Sequence, residues 1–133
     1  MNIYYITIAS PGVAEERCEI EFTRDVSTTL TVKSQRFGVM SFVDDNWFGA
    51  LLKFRLRIEP DGYLLLCNAA RKDAYPSRMM LQMGGGRKIY ILSYGLQASD
   101  EDLVDVLGMA TIDQVGTVEE QRIGYENWLR SLK

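Results

Sequence analysis

The chain contains no histidine, and this absence excludes several kinds of active site. A Ser-His-Asp triad, a Cys-His pair and a histidine-ligated zinc site all need imidazole, as does the usual acid-base route near neutral pH. Enzymes that use carboxylates, lysine or tyrosine are not excluded by this argument. The balance still favours a protein that is not an enzyme, and we predict no catalytic, cofactor-binding or metal-binding residues.

Cysteine is scarce, and long apolar runs are missing. The two cysteines, Cys18 and Cys67, lack CxxC spacing and fall within predicted strands, which favours buried free thiols over a disulfide. No apolar run approaches the roughly 18 residues that span a bilayer. The first residues, Met1-Asn2-Ile3-Tyr4-Tyr5, have neither the basic region nor the cleavage site of a signal peptide. We therefore expect a cytoplasmic protein with no membrane partner.

The length and charge of the chain bound its organisation. A chain of 133 residues can form one hydrophobic core but is short for two ordinary domains, so we predict a single α+β domain over residues 1–133. The net charge of −3 is uneven, since residues 71–88 carry five cations and one acid whereas residues 96–133 carry three cations and eight acids. Nucleic-acid binding needs a basic face, which this distribution does not provide, so we expect no nucleic-acid partner.

The first third of the chain reads as four short strands joined by tight links. Residues 2–9 are rich in Ile, Tyr and Thr, and residues 17–24 and 28–34 alternate apolar with polar side chains, as half-buried strands do. A fourth apolar segment spans residues 37–43. Consecutive short strands of this kind predict an antiparallel meander.

Residues 47–59 fit two structures. Trp47, Leu51, Phe54 and Ile58 form a helical stripe that could begin after a capping Asp or Asn and end before Gly62. The same segment alternates apolar and basic residues from position 53 to position 58, which suits a strand, and a turn follows it. The capping residues favour the helix, but the pattern leaves both open.

The remaining elements complete an α+β layer fold. Residues 63–69 and 88–94 read as apolar strands that pair at the centre of the sheet, and a short acidic helix is expected over residues 100–108. A capping box from Thr117 to Glu120 opens a last helix that ends near Leu132. We predict an antiparallel sheet of about six strands with about three helices packed on one face, and we expect Trp47 and Trp128 to anchor its core.

The connection over residues 71–88 is the most unusual segment. It carries a Tyr75-Pro76 pair, three methionines with helical spacing within residues 77–83, and Gly84-Gly85-Gly86-Arg87-Lys88 before a strand. A phosphate-binding P-loop requires Gly-Lys-Ser/Thr before a helix, so that motif is absent. The glycines could be a flexible turn, a partner-binding loop or an anion site. The cations of the segment are Arg71, Lys72, Arg78, Arg87 and Lys88.

Acidic residues cluster beyond the last predicted strand. Their spacing does not match a calcium-binding loop, and helix capping together with a solvated face is the plainest explanation. An acidic surface can also steer a basic protein partner into contact. If the chain acts by binding a partner, the residues we expect to contact it are Asp100, Glu101, Asp102, Asp105, Tyr75, Arg78 and Arg87.

In general design the chain resembles the small immunity proteins of bacterial contact-dependent growth inhibition and related polymorphic toxin systems, which are compact, often acidic and without catalytic motifs. Two segments also look like the core of a bacterial family, Gly62-Tyr63-Leu64-Leu65-Leu66-Cys67-Asn68-Ala69-Ala70-Arg71 and Met83-Gly84-Gly85-Gly86-Arg87. The resemblance implies a non-catalytic protein that blocks a cognate toxin, for which a nuclease is the candidate.

Two other functions remain open. Residues 71–88 could bind a small anionic molecule or phosphate. Alternatively, the chain could be a structural subunit or homodimer that pairs through a sheet edge at residues 2–9.

Overall fold

Two antiparallel sheets and three α-helices make up the computed structural model, which describes residues 2–133. The α+β class predicted from the sequence is confirmed. The strands are β1 Asn2–Ala9, β2 Glu16–Arg24, β3 Thr28–Ser34, β4 Gly38–Asp44, β5 Leu64–Leu65, β6 Ala74–Tyr75, β7 Lys88–Ile91 and β8 Leu103–Asp105. The helices are α1 Trp47–Ile58, α2 Arg78–Met83 and α3 Val118–Ser131, with short 3-10 turns at Glu59–Asp61, Asn68–Ala70 and Asp100–Asp102.

The predicted meander is confirmed as the larger sheet, whose strand order is β4-β3-β2-β1-β5. Alternating side chains explain its two faces, because Ile6, Ile20 and Val32 are buried while their sequence neighbours face outward. Ile20 lies opposite Val32 and Tyr4 lies opposite Ile20, so the apolar positions of adjacent strands share one face. That face forms the floor of the hydrophobic core.

Residues 47–59 could form a helix or a strand according to the sequence, and in the structure Trp47–Ile58 form helix α1. The Asn46 side chain caps α1 by accepting a hydrogen bond from the Gly49 amide at 2.8 Å. The apolar stripe, including Leu51 and Phe54, is buried against the larger sheet. Burying each such side chain contributes roughly 1.5–3 kcal/mol, which a solvated hairpin at this place would not gain.

The prediction that residues 63–69 and 88–94 pair as central strands of one sheet is wrong. Residues 63–69 supply only the two-residue strand β5, at the edge of the larger sheet, because the chain turns into the core at Asn68–Ala70. Residues 88–94 supply β7, which lies in the middle of a separate sheet ordered β6-β7-β8. The eight strands therefore divide between two sheets rather than forming one sheet of about six.

The expected helix over residues 100–108 is also wrong. Ser99 and Asp102 form a capping box, but it closes a single 3-10 turn. The next residues form β8 instead, where Val104 lies opposite Ile89 of β7. Pairing with β7 satisfies backbone groups and places Val104 against the core, so tertiary contact outweighs the local helix signal.

Helix α3 begins at the capping box predicted from the sequence, with Thr117 accepting a hydrogen bond from the Glu120 amide at 3.0 Å. Glycine weakens a helix, but the packing of α3 explains why Gly124 occurs there. A Cβ atom at this position would lie 2.4 Å from the Lys72 carbonyl oxygen, so only glycine permits the close approach of α3 to that segment. None of the helices formed by residues 2–133 combines the length and apolar character that a membrane span requires.

A buried arginine links the helices to the segment between the sheets. Arg55 of α1 is 1% exposed. Its guanidinium donates to the Gln121 side-chain oxygen at 2.6 Å, to the Ala69 carbonyl at 3.1 Å and to the Gly116 carbonyl at 3.2 Å. Gln121 in turn donates to the carbonyls of Ala69, Arg71 and Ala74 at 2.9–3.0 Å. The network therefore holds α1, α3 and residues 69–74 in one arrangement.

The charge of this arginine is only partly compensated. Glu59 Oε2 lies 3.7 Å from Arg55 Nε and accepts a hydrogen bond from the Val118 amide at 2.9 Å. Burial lowers the pKa of Arg55, although the nearby Glu59 opposes this shift. Burial likewise raises the pKa of Glu59 against the effect of the Val118 amide and Arg55. Each charge depends on the other, because neither is well solvated.

Replacing Arg55 with alanine should destabilise the fold severely. The change removes the donor to the Gln121 side-chain oxygen and to the Gly116 carbonyl and leaves Glu59 without its positive partner, so we expect a loss of about 3–5 kcal/mol in the free energy of unfolding. Arg57→Ala is the matched control, since Arg57 makes an exposed pair with Asp61 at 3.7 Å and lies over the Phe37 ring at 5.3 Å, and its loss should cost about 1 kcal/mol. Urea unfolding followed by circular dichroism measures both, and similar losses for the two variants would contradict the prediction.

Candidate functional site

An aromatic cleft lies between α3 and the smaller sheet. Its volume is about 260 Å³, and four aromatic rings line it together with Pro76 and Leu92. The rings of Tyr75 and Tyr125 stack with centroids 4.0 Å apart, and Trp128 lies next to Tyr125 at 6.0 Å. All the rings are partly exposed, so the cleft can be contacted from solvent. Its aromatic residues are Tyr75, Tyr90, Tyr125 and Trp128.

Hydrogen bonds fix the walls of this aromatic cleft. The Trp128 indole N–H donates to the carbonyl oxygens of Ser93 and Leu96, both at 3.0 Å. The Gly95 amide donates to the Ser131 hydroxyl at 2.8 Å, so the loop after β7 is tied to α3 at two points. Rigid aromatic side chains of this kind lose little conformational entropy on binding, which suits them to partner recognition.

The predicted acidic residues begin at the rim of the aromatic cleft but do not act as a unit. Ala98 lines the cleft, and the acidic turn follows directly. Asp102 accepts a hydrogen bond from the Ser99 amide at 2.9 Å, and Asp105 accepts one from the Leu107 amide at 2.9 Å, so both have local structural roles. Asp100 and Glu101 are exposed, and the ion pairs found within residues 2–133 include neither.

The five cations of residues 71–88 do not converge. Arg71 forms a bidentate pair with Asp73, with both contacts at 2.7 Å. Arg78 is exposed at the first position of α2, directly after Ser77, which lines the aromatic cleft. Arg87 lies over the Trp47 ring at 4.4 Å and lines depressions that neither Arg71 nor Arg78 lines. These five cations therefore do not form a single anion site.

The three glycines serve the helix that precedes them. The Gly85 carbonyl accepts a hydrogen bond from the Trp47 amide at 2.9 Å, at the first residue of α1. The amides of Gly84 and Gly86 both donate to the Met80 carbonyl, at 3.1 and 3.0 Å. Because these amides already have protein acceptors, they do not form an anion cradle. The segment is a structural turn that covers the start of α1.

Arg87 nevertheless lines a small cavity with a second arginine. The cavity measures about 270 Å³, and Arg24, Thr28 and Gln82 also line it. Arg24 is held there by hydrogen bonds to the Asp45 carbonyl at 2.7 Å and the Thr28 hydroxyl at 2.9 Å. Sequence reasoning missed Arg24 because it lies in β2, far from the glycines along the chain. We call this depression the two-arginine cavity.

Neither cysteine is activated as a nucleophile. Cys18 and Cys67 are free and buried, as predicted. Burial raises the pKa of the Cys67 thiol to about 11, and burial together with Glu16 raises that of Cys18 to about 12. Both thiols therefore stay protonated near neutral pH and are poor nucleophiles. Residues 2–133 contain no group of three or more Cys, Asp and Glu side chains placed to hold a metal ion.

Trp47 is buried as expected, but Trp128 is not fully enclosed and belongs to the aromatic cleft. The sequence did carry a signal for this surface, since Tyr125 and Trp128 are spaced three residues apart on one helix. Without the structure, such a pair reads equally well as core. Tyr90 was hidden inside a segment read as an apolar strand.

Substituting the glycines one at a time separates backbone strain from packing. Gly85 and Gly86 both have positive φ, at 68° and 69°, so alanine strains either position. A Cβ at Gly86 would lie 2.7 Å from Asn46 Oδ1, the cap of α1, whereas a Cβ at Gly85 meets nothing within 4 Å. We expect Gly85→Ala to cost about 1 kcal/mol and Gly86→Ala about 1–3 kcal/mol more. Thermal and urea unfolding measure the difference, and equal losses would refute the packing role.

The chain was also compared with known proteins. A scan against protein-family models and a search of the curated proteins found no match. The case for a function therefore depends on the surfaces described above.

Proposed function

We propose that this protein is a non-catalytic immunity protein that binds and blocks a cognate bacterial toxin, with a nuclease as the toxin class. The observation that carries the proposal is the rigid aromatic cleft whose rim continues into the acidic turn at Asp100–Asp102. The rings of the cleft are partly exposed to solvent, and residues 2–133 contain no group of three or more Cys, Asp and Glu side chains placed to hold a metal ion. Such an aromatic surface is suited to recognition of a partner.

The chemistry of the cleft points to a basic surface on the toxin. Faces of tyrosine and tryptophan rings attract lysine and arginine side chains, with energies from about 0.5 kcal/mol at exposed sites to about 2 kcal/mol when the pair is desolvated. Asp100 and Glu101, which are free of ion pairs to described residues, add a negative potential beside the rings. Nuclease active sites attract phosphate with cations, so covering one with acids and aromatic rings would exclude the substrate.

The test is co-expression with a candidate toxin, chosen as the product of an adjacent gene that encodes a toxin-like protein. Wild-type protein should protect cells and co-purify with the toxin. Asp100→Lys/Glu101→Lys should slow association about tenfold at low salt, with a smaller effect at high salt, because exposed charges act mainly on the rate of encounter. Surface plasmon resonance at two salt concentrations measures both rates.

The matched control makes the same change of charge elsewhere. Glu15→Lys/Asp25→Lys alters two exposed acids in the links before β2 and before β3, away from the cleft, and should leave association within about twofold of wild type. Absence of a stable complex and of protection would refute the function. If both double variants weaken the complex equally, the toxin does not bind at the acidic rim of the aromatic cleft.

The two-arginine cavity supports a second candidate, binding of a small anion or phosphate. Arg24, Arg87, Thr28 and Gln82 line one depression, and all four side chains carry hydrogen-bond donor groups. This set differs from the one expected from the sequence, where Arg78 was grouped with Arg87, because Arg78 does not line the cavity.

A thermal-shift screen with nucleotides and inorganic phosphate tests this candidate. A ligand that binds only the folded state raises Tm, and the shift should disappear in Arg24→Ala and Arg87→Ala when each is compared with its own unliganded Tm. Arg78→Ala is the control and should retain the full shift. If no anion raises Tm, or if Arg78→Ala loses the shift as well, the two-arginine cavity is not an anion site.

A further inference from the structure

The edge of β1 that faces β5 is only half covered. β5 pairs with Ile8 and Ala9, and the Leu66 amide adds one hydrogen bond to the Thr7 carbonyl at 2.9 Å. In an antiparallel strand, alternate residues direct both backbone groups to the same side, so Ile3 and Tyr5 face the same way as Thr7. Within residues 2–133 no backbone group reaches Ile3 or Tyr5 on that side. Their amides and carbonyls therefore form an open ladder.

Two cavities lie along this open ladder, on opposite faces of the sheet. The inner cavity measures about 370 Å³ and is lined by Tyr4 and Asp105 among others. The outer cavity measures about 350 Å³ and is lined by Tyr5 and Met109 among others. Leu107 lines both cavities, which places it between them. An unpaired strand edge and a cavity on each face thus form one groove, which we call the β1 groove.

We propose that the β1 groove binds an extended segment of a partner protein as an additional β-strand. Successive side chains of a strand point to opposite faces, so one residue of the bound segment would enter the inner cavity and the next would enter the outer cavity. Backbone hydrogen bonds to Ile3 and Tyr5 would supply affinity, and the two cavities would supply specificity. The β1 groove shares no lining residue with the aromatic cleft, so this inference is independent of the proposed function.

The two cavities select different side chains. Leu66, Cys67 and Met109 give the outer cavity a mostly apolar lining, to which Thr7 and Arg17 also contribute, and Met109 is 92% exposed, so an aliphatic side chain fits against the apolar part. Asp105 and Arg87, whose guanidinium lies over Trp47, line the inner cavity, so it suits a polar side chain that can hydrogen-bond to either. The bound segment should therefore alternate polar and aliphatic residues.

A single extended segment fits better than a second copy of this chain. Leu107 lines both cavities opposite β1, so an entering strand is flanked on both sides. The β1 strand of a second copy carries β2 on one side and its own Leu107 segment on the other. It cannot enter the β1 groove without displacing that segment, whereas a tail or loop in extended form can.

Selection from a phage-displayed library of short peptides against the whole chain tests the proposal. Enriched peptides should alternate polar and aliphatic residues, and amide hydrogen exchange at Ile3 and Tyr5 should slow on binding. Tyr5→Pro removes the outward N–H while leaving the bonds to β2 in place, and it should weaken binding of the enriched peptide about tenfold. Tyr5→Thr keeps the N–H and removes the ring. It is the matched control, and its affinity for the peptide should fall clearly less than that of Tyr5→Pro.

Two further measurements guard against a variant that misfolds. Leu107→Arg fills the β1 groove without altering β1 and should also weaken binding, and a peptide N-methylated at the residue facing Tyr5 should bind the wild-type protein about tenfold less tightly. Equal binding by Tyr5→Pro and Tyr5→Thr, unaffected binding of the N-methylated peptide, or failure to enrich any peptide would overturn the proposal. So would light scattering that shows a dimer abolished by Tyr5→Pro, because the occupant would then be a second copy.

Discussion

The hydrogen-bonded pair of Arg55 and Gln121 is the constraint on which the other features depend. A buried guanidinium is costly to desolvate, and Arg55 offsets this cost through hydrogen bonds from Nη1 and Nη2, while its Nε has no hydrogen-bond partner and lies 3.7 Å from Glu59. These hydrogen bonds fix α3 against α1, and Gln121 in turn fixes the carbonyl of Ala74. Tyr75 follows Ala74, and Tyr125 lies one turn beyond Gln121, so the same network sets the two rings that stack in the aromatic cleft. A core interaction thereby determines the shape of a surface.

The glycine-rich segment illustrates how a conspicuous motif can have a structural role. Consecutive glycines beside cations suggest an anion site, yet the amides of Gly84 and Gly86 donate to the Met80 carbonyl and the Gly85 carbonyl accepts from the Trp47 amide. Gly86 is needed because the Asn46 cap of α1 leaves no room for a Cβ. The consequence for function is indirect, since the turn delivers Arg87 to the face of Trp47, where it borders both the two-arginine cavity and the β1 groove.

The aromatic cleft and the β1 groove would recognise partners by different physical means. The cleft offers rigid rings and acidic side chains, which select the chemistry of individual partner side chains. The β1 groove offers backbone donors and acceptors, which are indifferent to sequence until the cavities beside Tyr4 and Tyr5 select the alternate residues. A protein with both surfaces can hold a folded partner at one place and an extended segment at another, which is consistent with a protein that acts by binding.

The sequence by itself determined the parts of the fold that depend on local signals. Composition predicted β1 and β4, alternation predicted β2 and β3, a capping Asp45 or Asn46 favoured a helix over residues 47–59, and the capping box at Thr117 marked the start of α3, because such patterns act within a few residues of chain. Only the tertiary structure decided the burial of Arg55, whose partner Gln121 is 66 residues away, the division into two sheets and the strand at Leu103–Asp105. The aromatic cleft and the β1 groove belong to the second group, since each joins segments whose proximity no local pattern encodes.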